Sequence, residues 1–285
     1  MIAQHEIGGV ICGRPYPLPR LRRVLPRLGG GELALSLVWA AMTAWLLTAC
    51  GAASAASPDA TAMAAGYSAK NLAGGKLSSL PTGKLFIRVT RFAQPAGHSF
   101  PSQTHVAGFD YVASGAQRLI IGGRPPIEIA PGQSVFQPSI AHVHTNPGTG
   151  PNQWYFIALW SEEDRAKALV DPKVATVAFE TDDLPPDALP HGSYVQTLRL
   201  VDLEPGGRSA AHRYGGVEAQ FVLEGSISVH VAGQRPGKLG TGEGAYHLAG
   251  AELQEHNAGA ERARFMELLT TEEGRPFQTS VDHAP

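Results

Sequence analysis

The chain has 285 residues, 43% of them hydrophobic and 17% charged, enough to bury the core of one large or two ordinary domains and too apolar for a disordered chain. Its 23 Lys and Arg against 25 Asp and Glu leave no basic surplus to neutralise phosphates, so nucleic acid is not expected as a partner. Cys12 and Cys50 are too few for a disulfide framework or a cysteine-rich zinc site, while 33 Gly and 22 Pro favour short strands and tight turns over helical bundles.

Five arginines, Arg14, Arg20, Arg22, Arg23 and Arg27, precede an apolar run from Leu33 to Leu47 that is interrupted only by Ser36 and Thr43. That order is the order of an export signal. About fifteen residues make roughly 22 Å of helix, short of a ~30 Å hydrocarbon core, so a permanent transmembrane helix is not expected. The run ends in Leu47-Thr48-Ala49-Cys50-Gly51, which resembles a bacterial lipoprotein lipobox; the resemblance implies lipidation of Cys50 and attachment at the cell envelope, on the periplasmic side or the cell surface. The competing reading is an ordinary signal peptide cut near Ala53-Ser54-Ala55. With 1–49 as signal, residues 50–80 read as a flexible tether, because their Ala, Ser and Gly content offers little to bury.

Self-comparison at an offset of 110 places Pro95 on Pro205, Gly97 on Gly207, Tyr111 on Phe221, Gly115 on Gly225 and Gly132 on Gly242, and one residue further Asn146 meets Asn257. Two repeats follow, roughly 84–160 and 194–270. Each is made of short alternating or apolar segments such as Lys84–Thr90, Gln117–Ile121, Ala219–Leu223 and Ser226–Val231, punctuated by Gly or Pro. The expectation is an all-β chain of two sandwiches or small barrels over 81–170 and 193–272. A short helix begins at the capping pattern Ser161-Glu-Glu-Asp164, a Pro-rich linker occupies 171–192, and 273–285 is a tail.

The second repeat runs Gly207, His212-Arg-Tyr214, three residues, Glu218, six residues, Gly225, and then Gly242, Leu248, Gly250, Leu253, Asn257. This resembles the two motifs of the cupin superfamily, a glycine followed by H-x-H, E and G, and then a G, P-x-G, H and N series. The first repeat keeps Gly132, Pro138, His142 and Asn146 with one residue lost before the histidine. The resemblance implies a bicupin, two tandem double-stranded β-helix or jelly-roll barrels with a short helix between them. In that family three imidazoles and one carboxylate point into the barrel and hold a divalent transition metal such as Mn, Fe, Ni, Cu or Zn.

The second repeat departs from the pattern. It keeps His212 and Glu218, but Tyr214 and Leu253 stand at two histidine positions. Either Tyr214 as phenolate, His256 and His247 complete a degenerate site, or His212 and Glu218 form a buried pair without metal. In the first repeat two registers compete. One puts Ser102, Thr104 and Gly108 at the ligand positions and binds nothing; the other, shifted by one residue, puts Gln103 and His105 there and Asp110 as the acid. With His98, His142 and His144 the first repeat holds a cluster of four histidines and one carboxylate; either His142-Val143-His144 lies within a strand and puts both rings on one face, or one ring sits at a strand end and caps backbone groups beside the turn Asn146-Pro147-Gly148-Thr149-Gly150.

Three readings remain open: a metal-dependent cupin enzyme with dioxygenase-like or related chemistry on a small molecule, a non-catalytic small-ligand-binding module, and a structural bicupin. No G-x-S-x-G, phosphate loop or G-x-G-x-x-G is present to support hydrolase or nucleotide chemistry. The expected partners are a small-molecule ligand or substrate, the membrane through the lipid anchor, and a second copy of the chain in a homodimer. If Cys50 is lipidated, Cys50→Ser moves the expressed protein from the membrane fraction to the soluble fraction, as a fractionation blot will show.

Overall fold

The computed structural model describes residues 64–77, 79–167, 169–190, 192–282 and 285; the arginine-rich leader, the apolar run and Cys50 lie outside them. After β1 (Ala65–Leu77), the first repeat contributes β2 (Leu85–Gln94), β3 (Gly108–Ser114), β4 (Gln117–Ile121), β5 (Ile127–Ile129), β6 (Ser134–Gln137), β7 (His142–Thr145) and β8 (Asn152–Ser161). Helix α1 (Glu162–Arg165) and β9 (Ala175–Glu180) follow. The second repeat contributes β10 (Tyr194–Arg208), β11 (His212–Tyr214), β12 (Val217–Glu224), β13 (Ser226–Val231), β14 (Gly237–Gly240), β15 (Gly244–His247), β16 (Glu252–His256) and β17 (Ala263–Glu272), and β18 (Gln278–Ser280) comes last. In the first repeat a sheet ordered β6-β3-β8-β2-β9 packs over a sheet ordered β5-β4-β7. In the second, the matching strands join in one nearly closed ten-stranded sheet, β14-β13-β16-β10-β17-β12-β15, with β1 on β10 and with β11 between β16 and β18. The described residues thus form two tandem barrels and one short helix, as expected.

Strand alternation decides what each face buries. Ile87, Val89, Phe109, Tyr111, Tyr155 and Ile157 of the first repeat meet Leu198, Val217, Ala219, Phe221, Met266 and Leu268 of the second in one apolar layer. The alternate residues point into the barrels: Phe92, Val112, Leu119, Trp154 and Phe156 in the first, and Val201, Leu203, Val222, Phe265 and Leu269 in the second. Each fully buried large side chain contributes roughly 1.5–3 kcal/mol of apolar transfer free energy, so the shared layer joins the two barrels firmly.

Three expectations about connecting segments are corrected. Ala65–Leu77 is not a tether but a strand, paired along β10 from Leu77 opposite Tyr194 to Ala65 opposite Arg208. Its composition misleads because an edge strand is held by backbone hydrogen bonds, and here only Tyr67, Leu72 and Leu77 supply large apolar contacts. The linker at 171–192 contains β9, paired with β2, and the tail contains β18, paired with β11. Helix α1 starts as the capping pattern predicts, with the Asp164 carboxylate accepting from Ser161 N and Oγ at 3.3 and 2.8 Å, and it ends at Arg165. β1 and β9 occupy matching places, each beside the first strand of one barrel and against the other barrel. A Cβ on Gly75 of β1 would lie 2.2 Å from the Phe136 ring, and a Cβ on Gly244 would lie 2.9 Å from Phe179 of β9, so both glycines are fixed by close approach.

Hydrogen bonds settle the register of the repeat. Asn146 Nδ2 donates to the carbonyls of Gln94, Pro95 and Gly150 while its Oδ1 accepts from Gly148 N. Asn257 makes the same set with Leu203, Glu204, Glu261 and Gly259. Pro95 therefore corresponds to Glu204 and not to Pro205. Gly97 corresponds to Gly206 and not to Gly207, since both amides donate to the carbonyl of that asparagine. The offset of 110 holds from Val112 and Val222 to Gly132 and Gly242, where each glycine amide donates to the valine carbonyl. One extra residue in the second repeat lies between these regions. Both asparagines are fully buried. At ~1 kcal/mol per bond, with a penalty for the carbonyls left unpaired, Asn146→Ala and Asn257→Ala are each expected to cost about 2–4 kcal/mol, read as a lower urea midpoint at unchanged slope.

Candidate metal centre

β7 carries His142 and His144 into the first barrel because residues i and i+2 share a strand face. His105 reaches the same hollow from the loop before β3. One nitrogen from each of His105, His142 and His144 lies within 4.8 Å of the others. Ring centroids are 4.7 Å apart for His105 and His142, and 4.9 Å apart for His142 and His144. An ion bound at ~2.0–2.1 Å from each nitrogen needs nitrogens no more than ~4.2 Å apart, so side-chain shifts of less than an ångström gather all three. His142 Nε2 is buried with no hydrogen-bond partner, which is the state of a donor atom that fits a metal.

The electrostatics agree with that fit. Burial pushes His105 from the usual 6.5 down to about 4, opposed by its bond to the Val106 carbonyl and aided by His142. Burial also lowers His142, against its bond to the Ile140 carbonyl, and holds His144 well below the usual value with help from His142 and His105. The trio is neutral at pH 7, the form that binds metal. Asp110 is fully buried, both of its carboxyl oxygens lack hydrogen-bond partners, and burial raises it well above the usual carboxylate range. Its Oδ2 stands 3.7 Å from His144 Nδ1.

His105 opens onto a cleft of about 260 Å³ whose walls also include Arg88, Gln103, Trp154, Phe156 and Trp160, with Asp164 and Lys167 along it; His142 and His144 are not part of its lining. Arg88 is buried; its Nε donates to Glu180 Oε2 at 2.8 Å and its Nη2 to the Arg165 carbonyl at 3.2 Å. Arg165 of α1 pairs in turn with Glu180 and, at 2.8 Å, with Asp183. β9 and the residues after it therefore fix one wall of the cleft, a role the sequence reading as a linker did not anticipate.

Both registers of the first motif prove half right. Gln103 bridges His142 as His212 pairs with Leu253, so Gln103 and His105 stand where His212 and Tyr214 stand. Gly108 pairs with Gln137 as Glu218 pairs with His247, so Gly108, not Asp110, occupies the glutamate position. Asp110 matches Gln220, one alternation further along the strand. His98 does not join the cluster: its Nε2 faces Asp171 at 3.5 Å and its Nδ1 lies 3.2 Å from Gln94 Nε2, with the ring against Phe100. Sequence reasoning missed Arg88 and Gln117. Gln117 is a buried polar residue on the same face as apolar Leu119 and Ile121, which was the available signal.

The second barrel brings together a different set. Tyr214 is no phenolate: it donates to Glu267 Oε1 at 3.1 Å, and burial followed by Glu267 and Glu255 pushes it well above its usual value. His212 and Glu218 are not paired with each other. His212 Nε2 faces Glu255 Oε1 at 3.9 Å, and neither Glu218 oxygen has a hydrogen-bond partner. Burial, then Glu267 and Glu255, raises Glu218 well above the carboxylate range. His247 is lowered to about 4 by burial. His256 is on the strand face opposite Leu253 and Glu255, with its ring 6.5 Å from His230, outside the barrel interior. Glu267, Glu255 and Arg199 were overlooked in the sequence; Arg199 Nε approaches Glu267 Oε2 at 3.3 Å and its Nη2 donates to Tyr67 of β1 at 2.7 Å. Among the described residues, only His105, His142 and His144 gather as a metal-holding group.

The two cups push stability in opposite directions with pH. His105 binds its proton more readily unfolded, so its contribution is present above about 6.5 and lost as pH falls toward 4. Glu267, raised from 4.5 to about 7 by burial against the opposing Arg199, holds its proton more tightly when folded, so its contribution is present below 4.5 and lost as pH rises through 7. In metal-free protein His105→Gln is expected to flatten the acid-side loss of stability, and Glu267→Gln the loss between 4.5 and 7, both read as urea midpoints across a pH series.

No family model matches the sequence, and no curated protein is detectably similar to it. Solved structures are. A tryptophan-to-tyrosine variant of oxalate decarboxylase from Bacillus subtilis superposes with a TM-score of 0.51 at 13% identity, over 72% of this chain and 79% of that one. A serine-to-alanine variant of the same enzyme gives a TM-score of 0.50 at 13% identity over the same shares. At such identities the likeness is one of fold: the chain has the two-barrel cupin fold of oxalate decarboxylase, with a trio of imidazoles in its first barrel.

Proposed function

We propose that this chain is an exported cupin protein whose first barrel holds a divalent transition metal through His105, His142 and His144 and uses it on a small anionic molecule, by dioxygenase-like or decarboxylase-like chemistry. The observation that carries the reading is the convergence of three neutral imidazoles, two buried and one, His105, partly buried on the wall of a cleft large enough for a small substrate. Nitrogen donors of this kind suit Mn, Fe, Ni, Cu or Zn better than Ca or Mg. When bound, the metal supplies Lewis-acid or redox chemistry, and three protein ligands leave positions open to a substrate.

The chain's own residues supply the rest. Trp154, Phe156 and Trp160 give the cleft an apolar wall that excludes water. Arg88 presents a guanidinium held in direction by Glu180, and the exposed Lys167 ammonium is paired with Asp164, which also lines the cleft; an anionic substrate would compete with these two carboxylates for the cations. The name of the structural neighbours, oxalate decarboxylase, supports the same substrate class. The second barrel, whose interior is filled by its own carboxyl, phenol and guanidinium groups, serves as a non-catalytic partner. The lipobox-like motif supports attachment of the whole chain at the cell envelope.

Purified protein is expected to contain close to one equivalent of transition metal, lost in His142→Ala and His105→Ala and kept in His212→Ala. Protein that stays metal-free after reconstitution overturns the enzyme reading and leaves a small-ligand-binding bicupin.

A further inference from the structure

We infer that Gln117 is a positioning residue that fixes which nitrogen of His144 faces the metal site, an inference that rests on the proposed metal-binding role of the first barrel. A neutral imidazole offers one lone pair and one N–H, and only the lone pair binds metal. In two of the three histidines the backbone makes the choice. His105 Nδ1 lies 2.9 Å from the Val106 carbonyl and His142 Nδ1 lies 2.7 Å from the Ile140 carbonyl; a carbonyl only accepts, so both Nδ1 atoms carry the proton and both Nε2 atoms keep the lone pair. The 3.4 Å approach of Gln137 Nε2 to His105 Nε2 fits a lone pair there.

His144 has no such carbonyl. Its Nδ1 lies 2.9 Å from Nε2 of the fully buried Gln117 amide and, further off, 3.7 Å from Asp110 Oδ2, and Gln117 Oε1 has no partner. The two ends of an amide have the same shape. With the oxygen turned to His144, Gln117 accepts Nδ1–H, its NH2 group takes the place that has no partner, and His144 joins its neighbours in presenting Nε2. The second barrel supplies an internal comparison. There Glu255 stands at the place of His144 and Ile227 at the place of Gln117, so the amide and the imidazole are absent together. Partners of this kind, one shell behind the ligands, typically change metal affinity 10–100-fold.

The test uses the full chain labelled with 15N-histidine, first without added metal, with His144 assigned by its disappearance in His144→Gln. The expected result is an unprotonated Nε2 on His144 in the wild type and in Gln117→Glu, whose carboxyl offers His144 an accepting oxygen, and loss of that preference in Gln117→Ile. Zn2+ affinity measured by chelator competition is expected to fall 10–100-fold in Gln117→Ile and to be kept or raised in Gln117→Glu. A proton on Nε2 of wild-type His144, or a Gln117→Ile protein with unchanged tautomer, overturns the assignment. Failure of the wild type to bind metal is read separately, because it defeats the metal reading while the tautomer still decides the role of Gln117.

Discussion

The structure depends on strands that are buried on both faces. A single barrel of this size has one protected side per strand, its interior. Here the outward faces of β2, β3 and β8 meet those of β10, β12 and β17, so Ile87, Phe109 and Ile157 are as deeply buried as residues inside. That shared layer supplies apolar burial without drawing on the barrel interiors. The interiors are in turn free to hold polar groups that a lone small barrel could not tolerate.

Each interior uses that freedom differently. The first gathers imidazoles and one carboxyl in its interior, with His105 on the wall of a cleft, and desolvation keeps them neutral. The second encloses Glu218, Glu255 and Glu267 around Arg199 and Tyr214, and desolvation raises Glu218 and Glu267 toward their protonated forms. The same backbone and the same alternation therefore give one cup suited to a soft or borderline cation and another occupied by its own network. The difference rests on a few inward positions, among them His144 against Glu255 and Gln117 against Ile227.

Much of the fold was legible because glycine turns and apolar strand centres recur at nearly constant spacing, and the pairing of His142 with His144 was legible because H-x-H within a strand puts both rings on one face, as β7 does. Three things were not. The register between His105 and Gly108 was hidden by a single-residue difference that neither copy marks with a Gly or Pro. Asp110 was read as an acid ligand because it lies near His105 in sequence, yet strand pairing sets it beside His144 instead. Ala65–Leu77 looked like a tether because composition reports side-chain burial, whereas an edge strand is held by its backbone.

The crossed placement of β1 and β9 separates the barrels from the repeats that encode them. The strand that completes the second barrel's sheet is spelled before the first repeat begins, and it sets Tyr67 against Arg199 inside that second barrel. Division of the chain midway between the repeats would therefore not yield two whole halves: the carboxy-terminal piece would lack an edge and a phenol, and the amino-terminal piece would carry a strand with no strand to pair with. The smallest self-sufficient unit is the pair.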